Sequence, residues 1–271
     1  MTTKHKIPKI TLMGAGPGNP DLISLAGIKA LRSADIVLYD ALVHPELLKH
    51  VQPGIRKIPV GKRKGKASLS QEQINNLLVD FAFSYGHVVR LKGGDPYVFG
   101  RGGEELDYAG NFNIPVDYIP GISSAFSVPG LAGIPLTRRG INQGFLVITG
   151  TDSKGKLSKA VYEAARQTFP VVILMGLSQL KRIAELFKSA GKENTPLAVI
   201  LNGSLKNSRT IKSTVGKIAH DAPFLLQEGP GIIVIGEIAG PEPEKCKAGG
   251  NAGINSEIAA SLFNHQHLIL N

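Results

Sequence analysis

The residues able to do chemistry in this sequence lie mostly in two glycine-rich segments and at the ends of short apolar runs. The first segment is Gly14-Ala-Gly-Pro-Gly-Asn-Pro, directly after the run at residues 10–13. A dinucleotide fingerprint would read GxGxxG and pass into a helix whose N–H groups hold a pyrophosphate. Here Asn19 stands at the sixth position, and Pro17 and Pro20 remove backbone donors. The loop suits close approach of a ligand to the backbone better than a pyrophosphate cradle, and a tight turn without ligand is the alternative. The second segment, Arg90-Leu-Lys-Gly-Gly-Asp-Pro-Tyr-Val-Phe-Gly-Arg-Gly-Gly-Glu-Glu, joins five glycines to Arg90, Asp95 and Arg101. A long glycine-rich loop after a strand is where α/β proteins bind small ligands. Asp40, at the end of an apolar run, reads as a functional carboxylate or only as the cap of a helix suggested by residues 45–50. Lys62, in Val60-Gly-Lys-Arg, reads as a placed cation or a solvated one. Met175 reads as core filler or ligand contact.

These residues need a frame. Apolar runs recur at 10–13, 36–39, 88–91, 116–119, 145–149, 171–175, 197–201 and 232–235, bounded by Gly, Pro or Asp. They lack strict alternation, as strands covered on both faces do. Helical patterns lie between several of them. In the clearest, Ser70 and Gln73 form a capping box, Ile74, Leu77, Leu78 and Phe81 share a face, and Gly86 ends the segment. The reading is an α/β protein of two lobes, 1–119 and 120–240, with mostly parallel sheets and a ligand cleft between them. A tail at 241–271, rich in Pro, Glu, Lys and Gly, is expected to be mobile with a short helix.

Lys plus Arg number 31 against 21 Asp plus Glu, a net charge of +10 that favours an anionic partner. Six basic residues, Arg56, Lys57, Lys62, Arg63, Lys64 and Lys66, crowd one stretch. A single cysteine excludes an internal disulfide framework, and the histidines lack paired metal-ligand spacing, so no metal site is expected. No apolar run is long enough to span a membrane, and the first residues lack an export signal.

Taken in order, several segments resemble the uroporphyrinogen-III C-methyltransferases, within the tetrapyrrole (class III) methyltransferases. They are Gly14-Ala-Gly-Pro-Gly, Leu38-Tyr-Asp-Ala-Leu-Val, Val60-Gly-Lys-Arg, Gln71-Glu-Gln-Ile-Asn, the Arg90 to Glu105 block, Pro120-Gly-Ile-Ser-Ser, Ala132-Gly-Ile-Pro-Leu-Thr and Met175-Gly-Leu. The resemblance implies the tetrapyrrole methylase fold and S-adenosylmethionine, released as S-adenosylhomocysteine. Its contacts would be Pro17, Gly93, Gly94, Asp95, Val98, Ser123, Ser124, Met175 and Gly203. It makes Asp40 the expected proton acceptor and Lys62 the proton donor, with Arg101 and Arg63 binding substrate. The chain departs from the family pattern at Ala67, Arg138 and Ser123.

The implied reaction is methylation of uroporphyrinogen III at two pyrrole carbons, on rings A and B, to precorrin-2 for sirohaem or cobalamin synthesis. An electron-rich pyrrole carbon can attack a sulfonium methyl directly, so alignment matters more than strong acid or base. The substrate's carboxylates supply a reason for the basic residues. A homodimer, a separate downstream precorrin-2 enzyme and a cytoplasmic location are further implications, with neither nucleic acid nor membrane as partner. The competing readings are a later precorrin methyltransferase and an RNA methyltransferase of related fold.

Overall fold

The computed structural model describes residues 7–61, 69–219 and 229–241. Of the 241–271 tail only Pro241 falls among them, and Lys62 and Arg63 lie outside them. The described residues up to Ala239 form one compact unit.

Five strands build the first sheet: β1 (Lys9–Gly14), β2 (Ile36–Tyr39), β3 (Arg56–Pro59), β4 (His87–Lys92) and β5 (Val116–Ile119). Their order is β3-β2-β4-β1-β5 and every pairing is parallel. Parallel strands all end at one edge, so the segments starting at Ala15, Asp40, Val60, Gly93 and Pro120 emerge there together. Helices α1 (Leu25–Ser33), α2 (Gln71–Tyr85) and α3 (Gly102–Gly110) connect them. The α2 start is the expected capping box: Gln73 N donates to Ser70 Oγ and Ser70 N to Gln73 Oε1. Gly86 ends the helix at φ 101°, a left-handed turn that favours glycine.

The second half holds α4 (Ser124–Leu131), β6 (Leu146–Thr149), α5 (Lys159–Arg166), β7 (Val171–Leu174), α6 (Leu180–Ser189), β8 (Pro196–Leu201), β9 (Arg209–Thr214) and β10 (Gly231–Ile235). The sheet order is β6-β7-β10-β8-β9. Of the eight pairings in the two sheets five are parallel, but in this second sheet only β6–β7 is. The short link from β8 to β9 permits only a hairpin, and β10 enters antiparallel to both β7 and β8. Strands β6, β7 and β8 consequently end at a common edge, which delivers Met175 and the 202–208 turn to the same side.

Each sheet is covered by apolar side chains. Ile36, Leu38 and Val88 pack beneath α2 and α3 with Leu78, Val79 and Ala109. In the second sheet Ile173, Val199 and Ile233 pack against Ile183 and Phe187 of α6. The helix suggested at 45–50 is a 3-10 helix, and its cap is His44, which accepts from Glu46 N. Asp40 is therefore not its cap, because it lies too far upstream of Pro45, and its carboxylate is engaged elsewhere.

Candidate functional site

The two glycine segments meet. Gly16 N donates to Gly94 O at 3.2 Å, and Gly94 N to Gly16 O at 2.8 Å, forming an isolated antiparallel bridge beyond the ends of β1 and β4. Gly121 joins this crossing, and a Cβ at Gly14 or Gly121 would run into the other's backbone and into the Gly94 carbonyl. Outward from the crossing there is room: a Cβ at Gly94 would meet nothing nearer than Ser124 N at 4.0 Å. The glycines thus bring three segments together and leave room beside Gly94 that a ligand can approach.

Beside this loop the covered face of the first sheet changes from apolar to charged. Side chains alternate along a strand, so Leu38 is followed on its face by Asp40, and Val88 by Arg90 and then Lys92. Leu38 and Arg90 are register partners. Arg90 Nη2 donates to Asp40 Oδ1 at 2.5 Å, and Arg90 Nε to Glu105 Oε1 at 2.9 Å. Lys92 Nζ reaches the same Glu105 oxygen at 2.9 Å. Burial alone would depress the Arg90 pKa, but Glu105 and Asp40 more than offset it and hold it above its ordinary value. Lys92 goes the other way: burial, then neighbouring Arg90, push its pKa down against the opposing pull of Glu105 and Asp40. The Asp40 side chain is 28% exposed, against 2% for Arg90, so the carboxylate is where this network reaches the surface.

Asp95 is buried and turned inward. Its Oδ1 accepts from Tyr97 N at 2.8 Å, and its Oδ2 from Tyr118 Oη and Gly121 N. Ser123 caps α4 by accepting from Ala125 N, and Ser124 opens the helix. Arg101 is exposed and pairs with Glu104, whose carboxyl its hydrogen bonds hold below the usual range.

From the second sheet Met175 follows β7, half exposed, with φ 53°. Gly203 packs on Val128 of α4 so closely that a side chain there would collide. Asn19 N donates to Ser204 Oγ at 3.0 Å, which ties the first glycine segment to the 202–208 turn. Among the described residues six non-glycines have left-handed backbone, and Phe99, Arg101, Met175, Asn202 and Ser204 are five of them. Strained backbone gathers at ligand sites because the surrounding structure must enforce it.

The structure therefore places Pro17, Gly93, Gly94, Val98, Ser123 and Gly203 in loops and Ser124 at the start of α4, linked through the Gly16–Gly94 bridge, α4 and the Asn19–Ser204 bond. Asp40 stands beside them through β2 and β4. Arg101 turns to its own helix. A cavity of about 360 Å³, lined by residues 21–24 and 120–122, flanks the glycine crossing and includes none of the expected residues. Sequence reasoning passed over Lys92, Glu105 and Ser204, and read Asp95 as a ligand contact without its three internal donors. Among the described residues no His, Cys, Asp or Glu cluster forms a metal site, and no helix is long and apolar enough to cross a membrane.

Residues 9–219 match the family model of Tetrapyrrole (Corrin/Porphyrin) Methylases. A uroporphyrinogen-III C-methyltransferase of Methanocaldococcus jannaschii is 46% identical over 85% of this chain and 96% of its own length. A sirohaem synthase of Zymomonas mobilis is 41% identical over 86% of this chain, which spans only 49% of that longer protein. Among solved structures, a uroporphyrin-III C-methyl transferase of Thermus thermophilus complexed with S-adenyl homocysteine superposes with a TM-score of 0.74 at 33% identity. It covers 85% of this chain and 98% of that one.

Proposed function

This chain belongs to the tetrapyrrole methylase family, and on that premise we propose that it methylates uroporphyrinogen III at two pyrrole carbons, on rings A and B. The donor is S-adenosylmethionine, and the products are precorrin-2 and S-adenosylhomocysteine. End-to-end similarity to uroporphyrinogen-III C-methyltransferases carries this reading.

The residues present fit the donor. Gly94 has open space where a side chain would stand, and strained Met175 projects from the edge shared with Gly203. Pro17, Gly93, Gly94, Val98, Ser123, Ser124, Met175 and Gly203 would hold it, with Asp95 keeping the loop in shape. When bound, S-adenosylmethionine supplies a methyl on a sulfonium, whose departing thioether needs no acid.

The work left to the protein concerns charge and proton. A pyrrole carbon that accepts a methyl makes the macrocycle cationic until a proton leaves. Asp40, a carboxylate held by Arg90 and partly exposed, stabilises that cation and takes the proton. Lys62 is the proton donor in this reading, and Arg63 and Arg101 bind the substrate's carboxylates. Arg101 would exchange its Glu104 partner to do so, and exposed pairs of this kind are weak enough to exchange.

The chain works in the cytoplasm as a homodimer, for which exposed Leu25, Leu42 and Leu131 offer apolar surface. Precorrin-2 passes to a separate enzyme toward sirohaem or cobalamin. The chain spans about half the length of the Zymomonas mobilis sirohaem synthase it matches.

The test is anaerobic incubation with uroporphyrinogen III and S-adenosylmethionine, then mass spectrometry of the oxidised tetrapyrrole. A gain of two methyl groups is expected, and an unchanged mass overturns the reading. Asp40→Ala should keep S-adenosylhomocysteine affinity while turnover falls by about 10²-fold or more, the scale of a lost general base. Wild-type turnover in that variant would remove Asp40 from the mechanism.

A further inference from the structure

Glu105 takes no part in the mechanism above, yet its surroundings are the least ordinary in the molecule. Acidic residues in a helix's first turn usually face solvent, where they complement the helix dipole. Glu104 does so. Glu105, one position on, points into the protein, and its side chain is fully buried. Its Oε1 accepts from Arg90 Nε, Lys92 Nζ and Gln71 Nε2, while Oε2 has no hydrogen-bond partner among the described residues. A carboxylate is costly to bury even when paired, and more so when one oxygen is left unsatisfied.

The geometry shows what that carboxylate holds. Arg90 is shared: its Nε faces Glu105 and its Nη2 faces Asp40. A guanidinium is planar and rigid, so anchoring Nε fixes the direction in which Nη2 points. Lys92 adds the second positive charge, which balances Arg90 and Lys92 against Glu105 and Asp40. Gln71 also bonds Asn75 on the next turn of α2, and so pins the Glu105 oxygen from the helix side. Of the four charged groups, Arg90, Lys92 and Glu105 are sealed, and Asp40 alone reaches the edge where the glycine loops emerge.

We propose that Glu105 is a positioning residue for methyl transfer: through Arg90 it sets the place and orientation of the Asp40 carboxylate. The inference rests on Asp40 being the proton acceptor of the proposed reaction. It assigns Glu105 no contact with substrate or donor, so its removal acts on the rate and not on binding.

The experiment compares single-turnover methylation of uroporphyrinogen III by the wild type, Glu105→Gln, Asp40→Ala and the double variant. Steady-state kcat and KM, and S-adenosylhomocysteine affinity by calorimetry, are measured alongside. Glu105→Gln is expected to lower kcat by roughly 10- to 10²-fold, the effect of a small misplacement of a reacting group. KM and S-adenosylhomocysteine affinity stay at wild-type values. In the Asp40→Ala background the same change lowers the rate no further, because Asp40 is the only route by which Glu105 acts. An equal loss in both backgrounds, or a raised KM with kcat intact, overturns the proposal. Should Glu105→Gln fail to fold, Lys92→Met with Glu105→Gln removes the two charges together and leaves neither buried without its partner. That folded variant at low kcat supports the proposal, and at wild-type kcat it overturns it. A wild type that adds no methyl is a different result: it sinks the functional reading, and the inference with it, before any variant is compared.

Discussion

Tyr118 Oη donates a hydrogen bond to Asp95 Oδ2 across 2.7 Å, and Gly121 N reaches the same oxygen at 3.0 Å. One carboxylate thus fastens the loop after β4 to β5 and to the chain that leaves it. The Tyr97 and Tyr118 rings stack with centroids 4.2 Å apart, which closes the loop over its anchor. The Gly93–Gly94 backbone is held in register by a residue that has its own donors and needs none from a ligand.

Asp95→Asn should therefore damage the fold as well as the site. An amide has one acceptor oxygen, so either Tyr97 N or Gly121 N loses its partner. Leaving such a group unsatisfied costs about 1–3 kcal/mol. Urea denaturation should show a loss of that size, and calorimetry a weaker S-adenosylhomocysteine affinity. Weaker binding with stability unchanged would make Asp95 a direct ligand contact and not a strut.

The same bond sets a pH dependence. Burial, then the hydrogen bond to the negatively charged Asp95, push the Tyr118 pKa up to about 12, from 10.0. A raised pKa means the folded state keeps its proton where the unfolded chain has lost it. The stabilisation is complete below pH 10 and disappears as pH rises toward 12. Ultraviolet titration of the wild type against Tyr118→Phe should assign the missing tyrosinate signal a midpoint near 12. A midpoint at the ordinary tyrosine value would mean that the Asp95 bond is not kept in solution.

How much of this could be read from the sequence varied with the range of the interaction. The α2 capping box is local, three residues apart, and formed as expected. The run at 36–39 is β2 as expected, because apolar strands buried on both faces declare themselves. Strand β9, Arg209–Thr214, was missed: it is polar and pairs only with β8. Arg56 and Lys57 read as part of a basic cluster, and they lie on β3, likewise a polar edge strand, paired only with β2. Strand direction in the second sheet leaves no trace in the hydrophobic pattern. At the site, Asp40 was visible as a carboxylate at a strand end, whereas its partner Arg90 lies 50 residues away in sequence. Glu104 and Glu105 are identical by type and by position in the first helical turn. A turn of about 100° per residue around the helix separates the solvent-facing one from the buried one, and only packing decides which is which.

Met175 offers a case where strain and function separate. Its left-handed backbone, φ 53°, costs a non-glycine residue roughly 1–3 kcal/mol, and its half-exposed side chain recovers little of that by burial. Met175→Gly should leave stability unchanged or raise it by about 1 kcal/mol, because glycine accepts this conformation while giving back part of the gain as greater unfolded-state entropy. If the thioether side chain meets the proposed donor, S-adenosylhomocysteine affinity should fall about tenfold, equal to about 1.4 kcal/mol. Thermal denaturation and calorimetry on the same preparation check both halves. Loss of stability together with loss of affinity would show that Met175 is held in place for packing. Stability kept and affinity lost would show that the protein tolerates the strained residue for the ligand it contacts.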